Sequence, residues 1–171
     1  MKYDNKQIDA EFNKNLEEAK QALTTLSFCQ TPEVDKLLKG WVFEQTVTKC
    51  VQEELNDEMK IEQQYRFSSF EIQDGKKSRG TADIAIEYNG RKFLVEIKHS
   101  GIFSGGDTEK YEKYRKLIEA NGFRYLYLSK SETHEPYAEK CREAFGKENV
   151  FLLDVEGDWE RFVDSIKYTA K

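Results

Sequence analysis

Apolar positions fall at helical spacing in the first third of the chain and alternate in its middle third. Between Asp4 and Thr25, Ile8, Phe12, Leu16, Ala19 and Leu23 recur three and four apart in a polar background, which predicts an amphipathic helix. Thr31-Pro32-Glu33-Val34 reads as a second helix start, with Thr31 as the cap and Pro32 at the first helical position, where its missing N–H costs nothing. That helix is expected to run to about Glu58, with an inward stripe of Val34, Leu37, Trp41, Glu44, Thr48, Val51 and Leu55. Ile61–Phe67, Thr81–Tyr88 and Arg91–His99 read as strands, and Glu71–Arg79 as a polar loop. A glycine-rich loop, Ser100–Gly106, leads to a helix capped by Asp107 and ended by Asn121-Gly122. Phe123–Leu128 is then a strand, Glu135–Phe145 a helix, Val150–Val155 a strand, and Trp159–Tyr168 a last helix whose stripe Trp159, Phe162, Ile166 faces the core.

The order α-α-β-β-β-α-β-α-β-α predicts a mixed α/β fold: one mixed sheet with helices on both faces. A length of 171 residues suits one domain. Its expected core covers about 32–130, with an N-terminal helix at 4–25 and a C-terminal βα extension at 135–168.

Asn89-Gly90 between two β-like runs is a strong hairpin signal, because both central positions of a type I′ turn need φ > 0. A two-residue loop there pairs Tyr88 with Arg91, Ala85 with Leu94, Asp83 with Glu96 and Thr81 with Lys98. Asp83 and Glu96 then stand opposite on one face, Cβ atoms roughly 4.5–5.5 Å apart, with Lys98 on the same face. The other face carries Ala82, Ile84 and Ile86 against Phe93, Val95 and Ile97. Opposed like charges destabilise a sheet unless water, a proton or a cation separates them. A hard divalent ion such as Mg2+ suits two carboxylates and keeps several waters. The plainer reading is a charged face neutralised by Lys98. Glu44 bears on the choice, because a carboxylate within an inward stripe needs a proton, a partner or a metal.

Asp83, twelve intervening residues, then Glu96-Ile97-Lys98, preceded by a helical Glu44, resembles the PD-(D/E)XK nuclease superfamily. The resemblance covers about Val34–Leu128, and Ala82 stands where the family often has Pro. It implies a restriction-endonuclease-like αβββαβ core. It further implies a Mg2+ or Mn2+ ion held by Asp83, Glu96 and the backbone carbonyl of Ile97, with Glu44 completing the acidic cluster. Lys98 would position the attacking water or stabilise charge on the phosphate.

The overall charge of −5 speaks against a polyanionic partner, but its distribution is uneven. Lys60–Lys130 holds 14 Lys and Arg against 10 Asp and Glu, and the remainder 13 against 22. Local field matters more than the total. Lys76, Lys77 and Arg79 precede Asp83, and Lys110, Lys113 and Tyr114 sit on the helix after Glu96-Ile97-Lys98; these are the candidate nucleic-acid contacts, with solvation and, for the tyrosines, packing as the plainer reading. Aromatic residues at 13% argue against disorder. No apolar run approaches the roughly 18 residues of a membrane span, and Met1–Asn15 has no secretory apolar stretch, so a cytoplasmic protein without a membrane partner is expected. Cys29, Cys50 and Cys141 match no zinc spacing and read as buried thiols. His99 and His134 read as ordinary histidines.

The expected function is therefore metal-dependent phosphodiester hydrolysis, on DNA with weak or structure-based specificity, in a chain that could pair as a homodimer. The alternative is a catalytically inactive nuclease-fold module that binds nucleic acid or protein. An RNA nuclease, or a subunit whose substrate a partner chooses, is also compatible.

Overall fold

The computed structural model describes residues 2–24, 31–56, 59–67, 70–72, 76–77, 80–100, 105–131 and 135–168. Helix α1 (Asn5–Leu23) opens on a capping box: the Gln7 amide donates to the Asp4 side chain, and the Asp4 amide to the Gln7 side chain. Helix α2 (Pro32–Leu55) starts where the Val34 amide donates to the Thr31 hydroxyl. There follow β1 (Met59–Arg66), β2 (Glu71–Ile72), β3 (Lys76–Lys77), β4 (Thr81–Tyr88), β5 (Arg91–Ser100), α3 (Gly105–Ala120), β6 (Phe123–Ser131), α4 (Glu135–Phe145), a 3-10 turn at Lys147–Asn149, β7 (Val150–Leu152) and α5 (Asp158–Lys167).

Five strands form one mixed sheet in the order β1-β4-β5-β6-β7. The first three pair antiparallel, and β5-β6-β7 run parallel. Parallel neighbours need a crossover, and α3 and α4 supply the two. The expected α/β architecture is thus observed, with five α-helices among the described residues. Asn89 and Gly90 have φ of 50° and 74°, as a type I′ turn requires.

One face of the sheet packs on α1, α2 and α5 through Ile84, Ile86, Phe93, Val95, Phe12, Val47 and Trp159. The other packs on α3 and α4 through Leu94, Tyr125, Tyr127, Tyr111, Ile118 and Phe145. Gly80 enters β4 beneath the Phe67 ring, where a Cβ would lie 2.0 Å from the ring; only glycine fits there. Cys50 and Cys141 are buried free thiols. Among the described residues no helix is long and apolar enough to cross a membrane.

The structure corrects several expectations. Leu37 and Trp41 are 73% and 59% exposed, so the stripe read for the N-terminal half of α2 is wrong. The buried face is turned away from them, through Val42, Phe43, Thr46, Val47, Cys50 and Val51, because α1 lies against that side. Glu44 is half-buried at the margin of this face rather than at its centre. The segment read as a polar loop holds the two-stranded β2–β3 ribbon, Glu71 opposite Lys77 and Ile72 opposite Lys76. β7 stops at Leu152, since turns follow it. α3 begins at Gly105, which places Asp107 within its first turn rather than at its cap.

The two readings of α2 separate on stability. Phe43→Ala, at a side chain 1% exposed, is expected to cost about 3–5 kcal/mol. Leu37→Ala should stay within about 0.5 kcal/mol. Urea midpoints at unchanged slope check both.

Candidate functional site

The hairpin register holds from Tyr88↔Arg91 to Ile84↔Val95 and stops there. Asp83 and Glu96 are therefore not a ladder pair, which corrects the expected register at its far end. The cause lies in the backbone. Ile84 belongs to the core under α2, yet Ala82 belongs to the core under α3, although residues two apart in a regular strand share a face. The neighbouring strand turns over at the same level: Ile61 packs on one core and Tyr65 on the other, about a Gln64 whose φ is 53°. β1 and β4 thus twist together at Gln64 and Asp83, and β4 parts from β5.

Parting leaves the Ile97 amide without its ladder acceptor, and a buried amide needs one. Asp83 supplies it: the Ile97 N–H donates to Asp83 Oδ2 at 2.6 Å. The carboxylate is thereby fixed in the gap between the strands. Glu96 lies on the α3 face, where the Tyr111 hydroxyl donates to its Oε1 at 2.8 Å and the Tyr125 hydroxyl approaches Oε2 at 3.4 Å. Lys98 closes the group, its Nζ 2.6 Å from Glu96 Oε1 and 3.9 Å from Asp83 Oδ2. Glu44 faces this group from α2 and accepts from Gln64 Nε2 at 2.9 Å. A cleft of ≈ 580 Å3 lies between α2 and the ends of β4 and β5, with Glu44, Asp83, Ile97 and Lys98 in its wall.

One lysine does not balance this much negative charge. Burial first, and then the Glu96 carboxylate, push the Asp83 carboxyl from its usual 3.8 up to about 7, against the opposing pull of Lys98. Burial works against the Lys98 ammonium, but Glu96 and Asp83 outweigh it and hold the group above its ordinary range. Lys98 is therefore a fixed cation and Asp83 a carboxyl that exchanges its proton near neutrality. Burial raises Tyr111 and Tyr125, with Glu96 adding to the effect, so both phenols stay protonated donors. Burial, helped by Lys130, lowers His99, which sits against the Phe12 and Phe43 rings and lines the cleft.

The other candidate contacts are dispersed. Lys113 is exposed and paired at 2.8 Å with Glu109 of its own helix. Lys110 Nζ lies over the Tyr111 and Tyr114 rings, 4.6 and 5.7 Å from their centroids. Tyr114 packs edge-on against Phe67. Lys76 and Lys77 form β3, while Arg79, His134, Cys29 and residues 101–104 lie outside the described residues.

Three contributors escaped the sequence reading. Tyr125 could have been found from Phe123–Leu128, where tyrosines alternate with leucine; the parallel register Glu96↔Tyr127 puts Tyr125 and Tyr127 on the face of Glu96. Tyr111 falls on the inward side of α3, where packing is the plain expectation, and nothing in the sequence marks its hydroxyl as a partner of Glu96. Gln64 carries no local signal, because nothing in its neighbours along the chain marks the positive φ it adopts beside β4.

No protein-family model matches the chain, and no curated protein does. Among solved structures it is similar to protein VC1899 from Vibrio cholerae, at 16% identity and a TM-score of 0.50 over 81% of this chain. The match spans 36% of that protein's length, and the likeness is one of fold. A second similar structure is the small subunit of the heterodimeric restriction endonuclease R.BspD6I, at 17% identity and a TM-score of 0.45, covering 92% of this chain and 78% of that one.

The raised Asp83 carboxyl sets a pH dependence. Between about pH 4 and 7 the folded protein holds a proton that the unfolded chain has released, so stability falls as pH rises through that window. Asp83→Asn keeps an acceptor for Ile97 and removes the charge. Without divalent ions, the variant is expected to gain roughly 1–4 kcal/mol on wild type between pH 4.5 and 8. Urea melts across that range check this; parallel profiles would count against it.

Proposed function

We propose that the chain is a metal-dependent nuclease that hydrolyses phosphodiester bonds, with DNA as the favoured substrate. The observation carrying this reading is the convergence of Asp83, Glu96 and Lys98 where β4 parts from β5, with Glu44 facing them. It joins the spacing that resembles the PD-(D/E)XK superfamily to one place in space.

The donor set suits a hydrated hard cation. Burial and the neighbouring Glu96 carboxylate raise the Asp83 carboxyl, so a cation beside it is favourable, and its Oδ1 has no hydrogen-bond partner among the described residues. Asp83, Glu96 and the Ile97 carbonyl would hold Mg2+ or Mn2+, with water completing the shell. When bound, such an ion supplies Lewis-acid charge and a water of lowered pKa. Tyr111 and Tyr125 orient Glu96 by donating to its two oxygens. Glu44, held by Gln64, adds negative charge on the far wall and can order water there. Lys98, kept protonated by its two carboxylates, serves to hold a phosphate oxygen and to neutralise its growing charge rather than to take a proton.

A second reading has its own observation. Both oxygens of Glu96 already have protein partners, and among the described residues no three His, Cys, Asp or Glu side chains gather closely enough to hold an ion by themselves. An inactive nucleic-acid-binding or protein-interaction module would look like this.

Incubation with supercoiled, linear, branched and single-stranded substrates plus Mn2+, beside Lys98→Ala, separates the two. The nuclease reading predicts cleavage by wild type and a loss of roughly 100-fold or more in Lys98→Ala. Calorimetry should find Mn2+ binding retained in that variant, because an ammonium no longer competes for Glu96, and lost in Asp83→Ala. Cleavage that survives Lys98→Ala would contradict the assignment. Nucleic-acid binding with neither cleavage nor Mn2+ heat would establish the inactive module.

A further inference from the structure

The outward face of α2 carries a feature that hydrolysis alone does not use. Trp41 is 59% exposed and Leu37, one turn earlier, 73% exposed. Among the described residues the Trp41 indole stacks on no other ring. Adjacent exposed apolar side chains at the rim of a cleft can serve as a ligand-binding surface, and this pair sits on the wall of the cleft that holds Glu44, Asp83 and Lys98. Lys36 lines the same cleft, exposed and without an ion pair among the described residues.

We propose that Trp41 and Lys36 form a subsite for an unpaired nucleotide, so that the site takes single-stranded or frayed nucleic acid in preference to closed duplex. The inference rests on the nuclease reading and narrows its substrate. An indole face accepts any base that has left its stack, and a base in intact duplex has no free face to offer. The exposed ammonium of Lys36 matches the phosphate beside such a base. The cleft is open to solvent, and its ≈ 580 Å3 is large enough to take a nucleobase against the indole. Leu37 extends the apolar wall on the same side of the helix.

Trp41 can report on its own occupancy, because the only other tryptophan, Trp159, is fully buried. The test uses the full chain in EDTA, so that nothing is cut, titrated with an oligothymidylate strand and with a blunt duplex of equal length. The expected result is fluorescence quenching and tighter binding by the single strand. Trp41→Ala should weaken single-strand binding roughly 5- to 100-fold and leave duplex binding unchanged. Trp41→Phe should restore part of the affinity without the quench, and Lys36→Ala should weaken binding and reduce its salt dependence. Equal binding of both substrates, unmoved by Trp41→Ala, would overturn the subsite; with duplex cleavage intact, the nuclease reading would still stand. Binding of no nucleic acid in EDTA would overturn the subsite, whereas the nuclease reading would fall only if cleavage with Mn2+ were also absent. Concentration-dependent self-association abolished by Trp41→Ala, with no quench, would make the patch a contact between copies and overturn the proposal.

Discussion

The hydrogen bond from the Ile97 amide to Asp83 Oδ2 is the point on which the site depends. A sheet can expose a carboxylate between two strands only where those strands separate, and separation strips a buried amide of its acceptor. Asp83 meets both conditions at once: its side chain replaces the missing carbonyl and its charge is held in the opening. The coupled turnover of β1 and β4 at Gln64 and Asp83 produces the opening. The same turnover sends Gln64 to Glu44 on α2. One backbone distortion thus gathers groups that belong to opposite faces of the sheet.

The electrostatic character follows from that geometry. Two carboxylates share one ammonium in a partly dry gap, with a third acid across the cleft. Such an arrangement stabilises the fold poorly, since it pushes Asp83 to about 7 instead of the usual carboxylate range. The surrounding packing carries the cost: tyrosines, phenylalanines and leucines on the α3 face, and the dense contacts of α1, α2 and α5 on the other. Residues that are poor for stability and well supported by neighbours are characteristic of functional sites.

Much of this was legible in the residue pattern. The capped starts of α1 and α2, the type I′ turn, the meander and the alternating βα units each have local causes, so the mixed sheet with helices on both faces could be read in advance. The turn register brings Asp83, Glu96 and Lys98 to the same end of the hairpin, although not as the directly opposed pair it implies. What failed was non-local. The stripe through Leu37 and Trp41 obeys helical spacing, yet α1 covers the other side, and periodicity alone does not say which of two overlapping stripes is covered. The far end of the hairpin was misread because alternation assumes a regular strand. The turnover at Asp83 arises from packing of Ala82 and Tyr65 on the opposite core. The basic residues of α3 were visible as charges, but their pairing with Glu109 or stacking on Tyr111 was not.

The most direct test of the central claim is the Ile97 amide proton itself, followed by NMR as pH is varied without divalent ions. The account predicts a large shift of this resonance with a midpoint near 7, as Asp83 gains and loses its proton, and loss of that transition in Asp83→Asn. An amide that does not move with pH, or that moves in the same way in Asp83→Asn, would contradict it.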